Sequence, residues 1–300
     1  MPHLDSGIFV LFLIALPAAT VNGGLGYGFS SLVVPVALLF FSNKILSPAL
    51  VLVELAVNSW IVILNRGSLS AVRWRTLPIL VGLVPGVLLG SFLLTNVNPG
   101  WLKLCTYIAL LPLILLQAAG FRRPIDGEHL AGYPLGFGIG TLYATTTISG
   151  PPLAMMFNNQ GLQKEEFRAA LGTVRVAETT FTAIVYGFLG LYSTKSLALI
   201  APVAPAVLLG LPLGTLLMRY VPAETFRRIC MSFDAWIIGF GLSRAMIELK
   251  LLNTPSAYTV WGLVILFDLY LLYQYFVAGR CRARVRSAHS YLELGEKKMA

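Results

Sequence analysis

Glu54, Arg175, Glu178, Asp234 and Asp268 fall inside long apolar runs of this 300-residue chain. Charge in hydrocarbon is costly, so such residues mark a substrate path or a proton relay by default. Glu54 lies one helical turn from Asn58, and Arg175 three residues from Glu178, so each pair can share a helix face. The guanidinium of Arg175 is a planar fork that suits the oxygens of a tetrahedral oxyanion. Arg175 is therefore the candidate counter-ion for an anionic substrate. Glu54, Asn58, Glu178 and Asp234 are candidate coupling residues, the three carboxylates as proton carriers. Two plainer readings of Arg175 stand beside this one: pairing with Glu178 as internal structure, or snorkelling toward the inner surface.

A second set of residues interrupts the apolar runs. "NGGLGYGFSSLVVP" (Asn22–Pro35) places Gly23, Gly24, Gly26 and Gly28 where a helix would be weakened, and "ATTTISGPP" (Ala144–Pro152) does the same with small hydroxylated residues. Broken backbone in lipid is tolerated only where protein or a cavity satisfies it. If each break is the tip of a helical hairpin, the second arm starts there. Its N-terminus carries free N–H groups and about half a positive charge, a ready anion site. Candidate substrate-binding residues are Gly24, Gly26, Tyr27, Gly28 and Ser30 at the first tip, and Thr146, Thr147, Ser149, Gly150 and Pro151 at the second. Gly150 is expected to supply backbone freedom, and Pro151–Pro152 suit a first helical turn. The plainer reading is that the glycines and hydroxyls permit close helix packing.

The elements that would position these groups follow from composition. The chain is 57% hydrophobic and 12% charged, with mean hydropathy +0.77. Soluble domains carry about 25% charged residues, so this is an integral membrane protein. The net charge of +9 falls between apolar runs and in the tail "GRCRARVRS", which fits cytoplasmic loops rather than nucleic-acid binding. Cys105, Cys230 and Cys281 show no paired spacing, and His3, His129 and His289 fall outside the apolar runs, so no disulfide, metal or cofactor is indicated. Residues 8–19 resemble a signal-peptide core without a preceding Lys or Arg, and are read as part of the mature protein.

Spans are expected at 45–64, 77–94, 101–119, 168–190, 196–218, 226–247 and 257–278. Segments 8–22, 29–41, 133–147 and 151–159 read as too short to cross, and form two re-entrant hairpins, 8–41 and 133–159. With the N-terminus outside, Arg66, Arg73, Arg75, Arg122, Arg123, Lys164, Arg219 and the basic tail face the cytoplasm.

The halves also repeat. "PVALLFFSN" (35–43) matches "PLAMMFNNQ" (152–160) at an offset of 117, and "VPGVLLG" (84–90) matches "APAVLLG" (204–210) at 120. At 120, Asn58 corresponds to Glu178. One hairpin and three spans per unit (1–122 and 123–250) is an odd number of crossings, so the second copy is inverted, with 251–300 as an appended helix and tail. Inverted repeats with broken helices are the architecture of many secondary transporters, with substrate at the midplane. The expected fold is thus an all-α polytopic membrane protein.

The Gly-rich "NGGLGYGFSSLVVPVALLF", "TISGPPLAMMF", "VPGVLLGSFL" and "APAVLLGLPLG" segments resemble the sulfite exporter TauE/SafE family of membrane permeases, over about residues 8–247. Gly24, Gly26, Gly28 and Pro35 fit the first motif and Gly150, Pro151 and Pro152 the second. Tyr27 and the Thr-rich second tip depart from it. The resemblance implies a multi-pass protein of the bacterial plasma membrane that transports sulfite, sulfonates or related anions, commonly outward and usually taken to be ion-coupled. The reading is alternating access, one repeat rocking against the other, with a small sulfur-containing anion as partner. A coupling proton or cation and oligomerisation stay open. The alternatives are an uncoupled anion channel and an intramembrane enzyme, the latter lacking any HExxH or any His within a span.

Overall fold

A computed structural model describes residues 2–119, 128–160, 162–217, 220 and 223–278. Arg122, Arg123, Arg219, the turn at Pro222 and the basic tail lie outside the described residues. Helices run α1 Pro2–Leu25, α2 Phe29–Ala37, α3 Asn43–Leu64, α4 Leu69–Asn96, α5 Pro99–Ala118 and α6 Glu128–Thr146 in the first part of the chain. They continue as α7 Gly150–Asn159, α8 Lys164–Phe188, α9 Thr194–Ala198, α10 Ile200–Leu217, α11 Ala223–Glu248 and α12 Thr254–Tyr273. The all-α polytopic membrane fold follows.

The first arms of both hairpins are longer than their apolar cores suggest. α1 has 24 residues and α6 has 19, or ~36 and ~28 Å at 1.5 Å per residue. Hydropathy misses the ends of α1 and α6 because polar residues such as His3, Asp5 and His129 extend the helices beyond the apolar stretch. Six helical stretches among the described residues are long and apolar enough to cross a membrane: 7–25, 43–64, 66–96, 99–116, 194–217 and 254–276. The first arm of the first hairpin is thus among them. The expected spans in α8 and α11 are not, although these helices have 25 and 26 residues. They carry the buried polar groups Arg175, Glu178 and Asp234, which lower their hydropathy.

Packing pairs the halves reciprocally. α1 lies along α10, and α6 lies along α4. Both pairs approach backbone to backbone, because glycines leave no side chain between them. A Cβ on Gly86 would come 2.3 Å from the Phe137 carbonyl oxygen, and one on Gly136 2.1 Å from that of Ile79. In the other pair, a Cβ on Gly214 would come 1.9 Å from the Thr20 oxygen, and one on Gly23 2.2 Å from that of Leu211. The repeated "VLLG" glycines carry matching contacts: Gly90 sits against Thr141 and Ala144, Gly210 against Leu16 and Ala19.

α12 packs on α11 at the periphery. Asp268, buried in this interface, accepts from Ser232 Oγ at 3.0 Å and Trp236 Nε1 at 2.9 Å. Its charge is spent on holding the appended helix in place, which removes it from the transport candidates.

Candidate functional site

Both hairpin tips turn through a left-handed residue one position past the first arm. α1 ends at Leu25 and Gly26 follows at φ 86°, its N–H donating to the Asn22 carbonyl at 2.7 Å. α6 ends at Thr146 and Thr147 follows at φ 59°, its N–H donating to the Tyr143 carbonyl at 2.6 Å. Glycine adopts that conformation freely, whereas a β-branched residue there is strained. The expectation that Gly150 supplies the freedom of the second tip is therefore corrected: Thr147 takes the positive φ. Gly150 is needed for space, since a Cβ on it would come 3.2 Å from the Tyr27 ring. The two tips thus touch. Gly23 and Gly24 also change role, since both lie within α1 and the turn itself is made at Gly26 and Gly28.

Each tip is tied by the helix that follows the opposite hairpin. Arg168 Nη2 on α8 donates to the carbonyls of Gly23 and Gly24 at 2.7 and 2.9 Å. Asn43 Nδ2 on α3 donates to the Thr145 carbonyl at 3.2 Å. These carbonyls belong to the last turn of a helix and lack helical partners, so a donor from outside satisfies them.

Behind the tips lies a sealed ionic cluster. Ser30, in the first turn of α2, donates to Glu54 Oε1, and Ser149, the N-cap of α7, donates to Glu178 Oε1. Arg175 Nη2 donates to Glu54 Oε1 at 2.6 Å, and its Nε lies 3.8 Å from Glu178 Oε1. Tyr143 OH donates to Glu54 Oε2 at 2.8 Å. Arg175 is 1% exposed and both glutamates 0%. The snorkelling reading of Arg175 fails. Pairing with Glu178 holds, with Glu54 as the closer partner. Each glutamate thus sits where a helix N-terminus favours negative charge. By bonding, the counterpart of Glu178 is Glu54 rather than Asn58.

The two sides differ in what is left over. Both oxygens of Glu54 are bonded. Glu178 Oε2 and Arg175 Nη1 are buried without a partner, as are the side chains of Asn22 on α1, Asn58 on α3 and Thr182 on α8. Buried polar groups are almost always bonded, so each of these calls for water, an ion or a ligand. Asp234 is equally buried on α11, which packs against α2, where Ser31 is its polar neighbour.

The threonine hydroxyls at the second tip serve the tip itself. Thr146 Oγ donates to the Leu142 carbonyl at 2.7 Å and accepts from the Ile148 N–H at 3.1 Å, while Thr147 Oγ donates to the Thr146 carbonyl at 2.6 Å. Pro151 lies in the first turn of α7, as its missing N–H permits. A groove of ≈ 330 Å³ between α4, α5 and α6 reaches Thr145 and Thr146 from the surface. Sequence reasoning passed over Asn22, Asn43, Tyr143 and Arg168. Asn22 lies four residues before Gly26, and Tyr143 four before Thr147, a spacing that puts both in the last turn before a break.

A family model described as Sulfite exporter TauE/SafE matches residues 11–240. Comparison with curated proteins and with solved structures gives no significant match. The chain belongs to the TauE/SafE family, which comprises membrane transporters of sulfite and related anions.

Proposed function

We propose that this TauE/SafE member exports a small sulfur-containing oxyanion, sulfite or an organosulfonate, by alternating access with a proton as coupling ion. The observation that carries the reading is the occupancy of two helix N-termini by the protein's own carboxylates, Glu54 and Glu178, which share one guanidinium. Two ionised carboxylates and one Arg175 leave a formal charge of −1. A substrate anion entering that sealed volume without a proton would raise it to −2, which burial penalises heavily. Protonation of one glutamate removes that excess charge, and the anion then binds beside Arg175. Anion and proton therefore bind together.

The bodies that move are set by the reciprocal packing. Since α1 is locked along α10 and α6 along α4, each hairpin travels with a helix of the opposite half. Opening on one side breaks the Arg168 tie to the first tip, and opening on the other breaks the Asn43 tie to the second. The halves are inverted copies in this reading, with the first at 1–122 and the second at 123–250. The N-terminus is outside and the C-terminus cytoplasmic in a bacterial plasma membrane. The uncharged loop Asn96–Gly100, against Arg66 in the turn before α4 and Arg73 and Arg75 near the start of α4, supports that orientation.

The test is sulfite efflux from loaded proteoliposomes. Wild-type efflux should rise when the lumen is more acidic than the outside, because anion and proton leave together, and fall to the empty-liposome leak in Arg175→Ala. In Arg175→Lys, which keeps the charge but not the fork, it should fall strongly. Sulfite flux equal to the leak in folded wild-type protein would overturn the reading, and flux indifferent to a pH gradient would replace the carrier with a channel.

A further inference from the structure

The two tips present matched positions to the ionic cluster, and at one of them the match fails. The N–H of Thr147 bonds the carbonyl of Tyr143, and the N–H of Gly26 bonds the carbonyl of Asn22, so Tyr143 and Asn22 occupy the same place relative to their turns. The two glutamates are matched in turn by their bonds to Ser30 and Ser149. Tyr143 fills its place by reaching across to Glu54 Oε2 at 2.8 Å. Asn22 is several ångströms shorter than a tyrosine. Its side-chain Oδ1 and Nδ2 are both buried without a partner, and so is Glu178 Oε2, the atom matched to the one Tyr143 holds. Arg175 Nη1 is unpartnered too, while Nη2 is engaged by Glu54.

We propose that Asn22, with Glu178 and Arg175, forms the subsite that receives the SO₃ group of the transported anion. This rests on the reading of the chain as a sulfur-oxyanion carrier and adds where the anion sits. The chemistry fits in number and kind. An SO₃ group offers three acceptor oxygens around one centre. Asn22 Nδ2, Arg175 Nη1 and a protonated Glu178 Oε2 offer three donors, all unfilled in the sealed state. The proton that Glu178 takes from solvent stays on that oxygen and is shared with the anion, so no bond other than O–H is made. The Glu54 side, closed by Tyr143, is the fixed wall. A spherical halide would leave two of the three donors poorly directed, and a carboxylate would leave one unfilled.

Isothermal titration of detergent-purified full-length protein with sulfite and with methanesulfonate tests this, using Asn22→Leu and Asn22→Tyr. Asn22→Leu is close in size and removes two unpartnered buried atoms, so its melting temperature should hold or rise. Its affinity for both anions should fall by about tenfold or more, the loss of one hydrogen bond to a charged ligand. Asn22→Tyr copies the other half, fills the gap and should abolish binding. Should either variant fail to fold, Asn22→Ala reads the same affinity. Wild-type affinity in a folded Asn22→Leu or Asn22→Ala would overturn the subsite. Absence of binding by wild-type protein would instead remove the carrier reading on which it rests.

Discussion

The surroundings of Glu54 and Glu178 are alike in their serines and their shared arginine, and unlike in completeness. Glu54 is held by Ser30, Tyr143 and Arg175, so both oxygens are bonded. Glu178 is held by Ser149, with Arg175 at 3.8 Å, and keeps one oxygen open. A buried carboxylate with its bonds filled is structure, whereas one with a bond unfilled is poised for a proton or a ligand. In the proposed reading one half of the cluster serves as scaffold and the other as site.

The largest expected effect concerns the residue the two sides share. Arg175→Ala leaves two buried carboxylates without a counter-charge and should cost about 3–5 kcal/mol in reversible unfolding. Adding Glu54→Gln should recover a good part of it, since the double variant carries one fewer uncompensated charge. No recovery would mean that Arg175 acts through packing rather than charge.

Next come the glutamates themselves. Glu54→Gln disturbs bonds from Ser30, Tyr143 and Arg175 and should cost about 2–3 kcal/mol, while Glu178→Gln should cost about 1 kcal/mol or less. Equal costs would break the comparison. Tyr143→Phe isolates one of these bonds: leaving Glu54 Oε2 buried and unpaired should cost about 1–2 kcal/mol by the same unfolding measurement.

The smallest effect is at the turns. Thr147 holds a left-handed conformation that Gly26 holds freely. Thr147→Gly should stabilise by about 1 kcal/mol, and Gly26→Thr should destabilise by a similar amount. If Thr147→Gly also lowers transport, the strain at the second tip is part of the cycle rather than a tolerated defect.

Several of these features were legible in the sequence. Breaks in apolar runs are visible because glycine, proline and threonine clusters cannot continue a helix cheaply, and both tips fall where those clusters stand. The pairing of Arg175 with Glu178 is equally visible, since three residues on a helix is a spatial neighbour. The contact between Glu54 and Arg175 spans 121 positions and that between Tyr143 and Glu54 spans 89, and no periodicity links residues so far apart. The repeat spans that distance, but its offset is not constant. It is 117 at Pro35 and 120 at Gly90, while the bonding that matches Glu54 to Glu178 needs 124. A single offset therefore assigns Asn58 to Glu178 and hides the real pair. The glycines misled in the opposite sense. Composition cannot separate a glycine that turns the chain, such as Gly26, from one that admits a neighbouring backbone, such as Gly23, until the partner helix is known.

The most direct test of the account is proton uptake on anion binding, measured by calorimetry in buffers of different ionisation enthalpy. Methanesulfonate is the probe of choice, because its own oxygens carry no proton near neutral pH. The account predicts that wild-type protein takes up about one proton per methanesulfonate bound, and that Glu178→Gln takes up about none while still binding. Binding by wild-type protein with no proton exchange would contradict the claim that anion and proton bind together at Arg175 and Glu178.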